Sequence, residues 1–273
     1  MRAVWPHGVY YAEPRNVANL SDCYFYHTME IPGYGLVEGQ WDLRDGIREY
    51  TGGLDFDGKR VLEIGTASGF VCFYMERQGG DVIGYDLSEH QSWDLVPHAL
   101  ADSSKESAVR RYIIRKLNNG YWLAHKAFGS KANVVYGTVY EVPAAIGPVD
   151  ISTFCSVLLH LRDPFLALYN AARLTRKTML VTEILSPNRD ATISPEAGPQ
   201  PMMEFIPHLG EKVVDIWWHL SPEIVIEFLR VLGFDASRVT FHSQRFALGQ
   251  KQLFSVVAHR ARGRPEISAV SGR

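Results

Sequence analysis

Apolar residues first fall into a regular order at residue 60. RVLEI at 60–64 is a short apolar run, GTASG at 65–69 is a turn, FVCFYMERQ at 70–78 is a helical pattern stopped by Gly79 and Gly80, and DVIGY at 81–85 is a second apolar run. Short apolar runs bounded by turn residues read as strands buried on both faces, and a helical crossover between two of them is the parallel βαβ unit. The rhythm continues with strands expected at 133–136, 150–155 and 178–183. A helix is expected from Pro164 with Asp163 as its cap, and another from Ser221 and Pro222 to Gly233. The segments 239–243 and 253–259 read as an antiparallel pair of strands. The alternation predicts an α/β fold with helices on both faces of a mostly parallel sheet.

Three stretches break this order. Residues 1–57 are rich in aromatics and turn residues and read as an N-terminal cover segment, with 41–50 (WDLRDGIREY) expected as a short helix presenting Leu43, Ile47 and Tyr50. Residues 88–131 are far longer than a usual connection and hold two expected helices, 106–117 and 121–128, with a basic run of Arg110, Arg111, Arg115 and Lys116. That run reads first as a solvated helix face and second as a phosphate-contacting patch. Residues 184–220, with Met202, Met203, Phe205, Trp217 and Trp218, read as an ordered lid. The main domain is therefore expected over 58–260 with two insertions, and 261–273 as a disordered tail.

Composition adds mainly exclusions. A chain of 273 residues with 46% hydrophobic and 21% charged residues is ordinary for a soluble protein, and a net charge of −2 gives no global attraction to polyanions. The three cysteines, Cys23, Cys72 and Cys155, are scattered, which suits a reducing cytoplasm better than a disulfide framework. No run approaches the roughly 20 apolar residues of a membrane span, and no export signal is visible, so a cytoplasmic protein with no membrane partner is expected. Metal spacings such as HxxxH and CxxC are absent, so no metal is expected, and neither a P-loop nor a G-x-S-x-G elbow is present.

The chemistry concentrates at 60–86. Gly65 and Gly69 allow a tight turn between strand and helix, and Asp86 follows Gly69 by 17 residues at the tip of the next strand. An acidic side chain at such a place accepts hydrogen bonds from ribose hydroxyls. A dinucleotide site wants G-x-G-x-x-G, with a pyrophosphate on the helix N-terminus. This chain has Glu63-x-Gly65-x-x-x-Gly69 instead. Glu63 would repel a pyrophosphate and suits a ligand bearing an ammonium group, which favours S-adenosylmethionine as cofactor.

VLEIGTASG, GYDLS and FCSVLLHLRDPFLAL resemble the nucleotide-binding half of the class I S-adenosylmethionine-dependent methyltransferases. LLHLRDP, TMLVTEIL and the WW pair are similar to the branch that contains the tRNA wobble-uridine carboxymethyltransferase and its small-molecule relatives. The resemblance implies a Rossmann-like seven-stranded sheet with a reversed last hairpin. It also implies that Glu63, Gly65, Thr66, Ala67 and Gly69 cradle the methionine part, Asp86 the ribose and Leu87 the adenine face. Thr138 stands where the family commonly has an acid facing the adenine amino group, so its hydroxyl or the Val139 backbone is the expected substitute. Cys155 and Ser156 fall where the transferred methyl is usually found.

His160 is the candidate general base by position, with a structural histidine as the alternative reading. Tyr24, Tyr26, His27, Gln40 and Trp41 either form a plain cover or close over the cofactor. Trp217, Trp218, Glu204, Phe205 and His219, with Arg189, are expected to read the acceptor from the lid. The expected activity is methyl transfer to O, N or S of a small organic molecule. A tRNA-modifying enzyme and a non-catalytic cofactor-binding module are the rivals, and nucleic acid is disfavoured by the lack of a basic track. A carboxylated donor would need an extra cation near Cys155, where only Arg162 is close in sequence. The oligomeric state stays open, a homodimer being one option.

Overall fold

A computed structural model describes residues 11–99, 102–187, 199–208, 214–247 and 249–260. The expected tail and Arg189 lie outside them. The chain begins with a small antiparallel ribbon, β1 (Met29–Ile31) with β2 (Gly35–Val37). Where a helix was expected over 41–50, Trp41–Asp42 is a strand, β3, and only Ile47–Tyr50 is helical, α1. Trp41 and Asp42 pair with Phe246 and Arg245, and this backbone pairing overrides the weak helical spacing of Leu43, Ile47 and Tyr50.

The core follows as β4 (Arg60–Ile64), α2 (Phe70–Arg77), β5 (Asp81–Asp86), α3 (Ser103–Phe128), β6 (Asn133–Tyr136), β7 (Val149–Cys155), α4 (Pro164–Ala172) and β8 (Thr175–Ile184). A two-stranded insert, β9 (Met203–Phe205) with β10 (Trp218–Leu220), precedes α5 (Pro222–Val231) and the long pair β11 (Phe234–Phe246) and β12 (Gly249–Arg260). The sheet runs β3-β11-β12-β8-β7-β4-β5-β6. Its central strands β8, β7, β4, β5 and β6 are parallel, and β12 is reversed against both β8 and β11. Seven strands and the reversed final hairpin match the expectation. The eighth, β3, is an edge strand contributed by the N-terminal segment.

Side-chain alternation along the strands assigns the two faces. Leu62, Ile64, Ile83 and Tyr85 join the core beneath α4 and α5, while Val61 and Val82 join the one beneath α2 and α3. The N-terminal segment supplies Phe25, Met29, Ile31, Trp41 and Leu43 to that second core, so it is built in rather than laid over the surface.

Residues 103–128 form one helix, not two. Asp102 caps it by accepting from the Ser104 and Lys105 N–H groups, and Gly129 ends it at φ +63°. Asn118 and Gly120, which read as a break, serve packing instead. Asn118 donates to the Leu87 carbonyl at 3.2 Å. A Cβ on Gly120 would lie 2.8 Å from the Tyr24 carbonyl oxygen, so glycine lets the N-terminal segment cross the helix there. The Tyr24 N–H donates to the Lys116 carbonyl at 2.9 Å on the same face.

From α3 the segment continues across the carboxyl ends of the strands. The Tyr26 N–H donates to Ser68 Oγ at 3.1 Å, and His27 packs on Phe70. Because β5 and β6 lie to one side of β4 and β7 and β8 to the other, the chain reverses its direction across the sheet beside β4. Open parallel sheets bind ligands in the crevice at such a point.

Candidate active site

A cavity of about 560 Å³ occupies that crevice. Its floor is the turn after β4. Gly65 sits at φ +81°, where a Cβ would be 2.6 Å from Val157 Cγ2, and Gly69 caps α2 at φ +89°. Both positions exclude a side chain, for sterics as well as backbone conformation. At Gly69 a Cβ would meet Phe73 at 2.5 Å and Tyr121 at 2.8 Å, so Gly69→Ala is expected to destabilise the fold by about 2 kcal/mol in urea unfolding. Unchanged stability would show that this turn tolerates a side chain.

Asp86 ends β5 at the cavity wall. Its Oδ2 accepts from the Ala67 N–H and its Oδ1 from the Leu87 N–H, each at 2.7 Å. Burial pushes its carboxyl up while these two donors hold it down. One backbone donor per oxygen leaves further lone pairs for a ligand's hydroxyls. Leu87, Thr138 and Val139 line the wall beside it, and Thr138 Oγ1 accepts from the Tyr140 N–H at 3.4 Å.

Cys155 and Ser156 line the opposite wall, at the end of β7. Ser156 adopts φ +57° and Ala67 φ +49°, two of the three non-glycine residues with positive φ among the described residues. Backbone strain of this kind persists where surrounding bonds fix it. Ser156 N–H donates to the Thr182 carbonyl at 2.7 Å, and its hydroxyl bonds the Tyr50 hydroxyl at 3.1 Å. Glu183 Oε1 holds the next two residues by accepting from the Val157 and Leu158 N–H groups at 3.0 and 2.6 Å.

His160 lines the cavity, and its Nδ1 bonds the Asp215 carbonyl oxygen. A carbonyl only accepts, so Nδ1 carries the proton and Nε2 keeps its lone pair. Burial lowers the imidazole's pKa and keeps it neutral. The ring stacks on Trp93 at 6.0 Å, and the Arg110 guanidinium lies 4.9 Å from the centre of the Trp93 ring while pairing with Asp215 at 3.1 Å.

Asp94 ties the roof together. Its carboxylate accepts from the Tyr140 hydroxyl at 2.5 Å and the Arg162 N–H at 2.6 Å, and its carbonyl accepts from Trp217 Nε1 at 2.5 Å. Segments around 94, 140, 162 and 217 thus meet over one volume.

Several expected contacts are placed elsewhere. Glu63, Thr66 and Gly69 do not line the cavity; Glu63 is 2% exposed beneath the turn, with Oε2 unpartnered and burial pushing its carboxyl up to about 7. Tyr24 and Tyr26 line the cavity, whereas Trp41 is buried against Phe246 at 4.6 Å. Trp218 and Phe205 pair with each other in the β9–β10 insert, as do His219 and Glu204, away from the cavity wall. Trp217 acts through its bond to Asp94 rather than as a lining residue. Such aromatics close an insert that is too small to have a core of its own. Arg162 is 62% exposed and paired with Asp94, outside the cavity. Sequence reasoning missed Trp93, Asp94 and Asp215, and it read Arg110 first as part of a solvated helix face and second as part of a phosphate-contacting patch. Among the described residues no group of three metal-ligating side chains occurs, and no helix is long and apolar enough to cross a membrane.

The family model of the methyltransferase domain matches residues 40–236, which hold the turn, Asp86, the post-β7 loop and most of the roof. The chain belongs to this methyltransferase family. Its sheet order is that of the class I fold, whose methyl donor is S-adenosylmethionine.

Solved structures agree on the fold of the methyltransferase. The N-terminal domain of EvdMO1, crystallised in the presence of S-adenosylhomocysteine and D-fucose, is 18% identical with a TM-score of 0.51, covering 89% of this chain and 93% of that one. A Burkholderia thailandensis 1,6-didemethyltoxoflavin-N1-methyltransferase, with 1,6-didemethyltoxoflavin and S-adenosylhomocysteine bound, is 13% identical with a TM-score of 0.50, covering 79% and 78%. No curated protein sequence matches the methyltransferase significantly. The residues fit the donor: Asp86 offers free lone pairs at the cavity wall, and Gly65 leaves backbone where a Cβ would intrude.

Proposed function

We propose that this methyltransferase transfers a methyl group from S-adenosylmethionine to O, N or S of a small organic molecule held beside Cys155 and Ser156. The observation that carries the reading is that both insertions build one cavity with the donor turn. Trp93, Asp94 and Arg110 from one insertion and Asp215 and Ile216 from the other line the same cavity as Asp86 and the glycine turn. An extended nucleic-acid strand needs an open basic track, whereas the cavity's cation Arg110 is already paired with Asp215. Arg115 and Lys116 pack on Tyr112 at 5.9 and 5.8 Å.

The donor, when bound, supplies an electrophilic methyl on a sulfonium, and transfer to a nucleophile in line needs alignment and exclusion of water. Asp86, Leu87, Thr138 and the Val139 backbone hold the nucleoside, while Ala67 and Gly65 supply the turn. Tyr24, Tyr26, Trp93 and His160 wall the acceptor. His160 Nε2, which keeps its lone pair, takes the proton of a hydroxyl acceptor; a thioether needs no base.

Mass spectrometry after incubating the protein with labelled donor and a metabolite extract, with tRNA in a parallel tube, tests the reading. Label in a low-mass product with release of S-adenosylhomocysteine is expected. Label in tRNA alone would replace the acceptor class, and binding without turnover in either tube would make the protein a cofactor-binding module.

A further inference from the structure

Four residues close into a ring at the wall of the cavity. His160, in the loop after β7, bonds the Asp215 carbonyl of the second insertion through Nδ1. The Asp215 carboxylate pairs with Arg110 of α3 at 3.1 Å, the Arg110 guanidinium lies over the Trp93 ring at 4.9 Å, and Trp93 stacks on His160 at 6.0 Å. All four line the cavity.

The main chain of Asp215 is held without help from Arg110. The Val96 N–H donates to the Val214 carbonyl at 2.9 Å, and the Trp217 N–H donates to the Leu159 carbonyl at 2.8 Å. These bonds clamp the stretch on both sides of Asp215 and so place its carbonyl against His160. Charge is a separate matter. The residue that holds the imidazole also carries a carboxylate, and a carboxylate near an imidazole favours the protonated ring, which has no lone pair left at Nε2. Arginine stays charged at any working pH, and it answers that carboxylate directly. With only 18% and 29% of the two side chains exposed, the pair is screened less than one on the open surface.

We infer that Arg110 is a positioning residue for the proposed base: lodged on Trp93 and paired with Asp215, it cancels the carboxylate charge on the residue that holds the His160 ring. The assignment rests on the reading of His160 as base. The charged groups that act on the imidazole are the Asp215 carboxylate from the second insertion and the Arg110 guanidinium from α3. Asp94, from the first insertion, is engaged with Arg162 of the His160 loop and with the Tyr140 hydroxyl. Burial lowers the imidazole's pKa, the bond and the charge of Asp215 raise it, and Arg110 lowers it. Since Arg110 and Asp215 belong to different insertions, their pair forms only where the insertions meet. The lone pair on His160 is thereby tied to closure of the cavity.

NMR of the protein with 15N-labelled imidazoles tests this without an acceptor. The signals of the ten histidines are sorted by their loss in His160→Gln. In the wild type His160 is expected as the Nδ1–H tautomer, titrating below 6.5. Arg110→Gln is expected to raise that midpoint by about one pH unit. Adding Asp215→Asn, which keeps the carbonyl and removes the charge, is expected to bring it back to within about half a unit of wild type. Arg110→Lys keeps the charge and should stay closer to wild type than Arg110→Gln. An unmoved midpoint in Arg110→Gln, or an equal rise in the double variant or in Arg110→Lys, would overturn the inference, because a merely structural role is not rescued by removing a carboxylate. S-adenosylhomocysteine binding, measured by calorimetry, shows that each variant is folded. Label transfer by His160→Gln at the wild-type rate would overturn the reading of His160 as base, whatever the spectra show, so the two failures are told apart.

Discussion

Replacing Asp86 by alanine is expected to weaken S-adenosylhomocysteine binding by about two to four orders of magnitude and to remove measurable methyl transfer. Hydrogen bonds to a charged group contribute roughly 1.5–3 kcal/mol each, and loss of two ribose contacts corresponds to a factor in that range. A second effect adds to it. Asp86 Oδ2 is the acceptor for the Ala67 N–H, and Ala67 sits at φ +49°, so the carboxylate also fixes the turn that approaches the ligand. Asp86→Asn keeps one acceptor oxygen and should fall between wild type and alanine. Calorimetry measures the affinity, and a thermal melt shows whether the variant is folded. Wild-type affinity in a folded Asp86→Ala protein would remove Asp86 from the donor site.

The part of the site that Asp86 belongs to was readable because it depends on local chemistry. Val61, Leu62 and Ile64 form an apolar run with turn residues on either side, and strand, turn and acid follow within one βαβ unit. Period and punctuation are enough for that. The roof was not readable, since Asp94, Tyr140, Arg162 and Trp217 meet across more than 120 sequence positions with no shared period. The length of the two insertions signalled only that something is built there.

Local signals also misled where tertiary contacts outweighed them. Asn118 and Gly120 carry the composition of a break, yet the helix runs through them, because glycine is what admits the Tyr24 carbonyl. Trp41 looked like a helical or substrate-facing aromatic and instead pairs its backbone with Phe246. Phe205 and Trp218 looked like a substrate wall and pack on each other with tilted rings at 5.2 Å. Aromatic content by itself does not separate a wall that faces a ligand from one that holds an insert closed.

Glu183→Gln is expected to raise stability at pH 8 by about 4 kcal/mol while changing it by less than about 1 kcal/mol at pH 5. Glu183 is 1% exposed at the end of β8, and burial pushes its carboxyl from 4.5 up to about 8. Between those two values the folded protein keeps a proton that the unfolded chain has released. The unfolded state binds fewer protons there, so stability falls as pH rises from about 4.5 to about 8, and below that window the residue contributes no pH dependence. Glu63, raised to about 7 by burial, acts in the same direction over a narrower window. Glutamine stays neutral throughout and still accepts from the Val157 and Leu158 N–H groups, so the variant keeps the bonds and loses the penalty. Urea unfolding of both proteins at pH 5 and pH 8 measures the difference; equal stability at pH 8 would mean that Glu183 ionises freely in the fold. The two buried carboxylates with an unpartnered oxygen, Glu63 and Glu183, flank the donor turn and the post-β7 loop. Acids that destabilise the fold near neutral pH are therefore concentrated at the carboxyl edge of the sheet, where strained Ala67 and Ser156 also lie. This is the distribution expected when local stability is given up for a pre-shaped site.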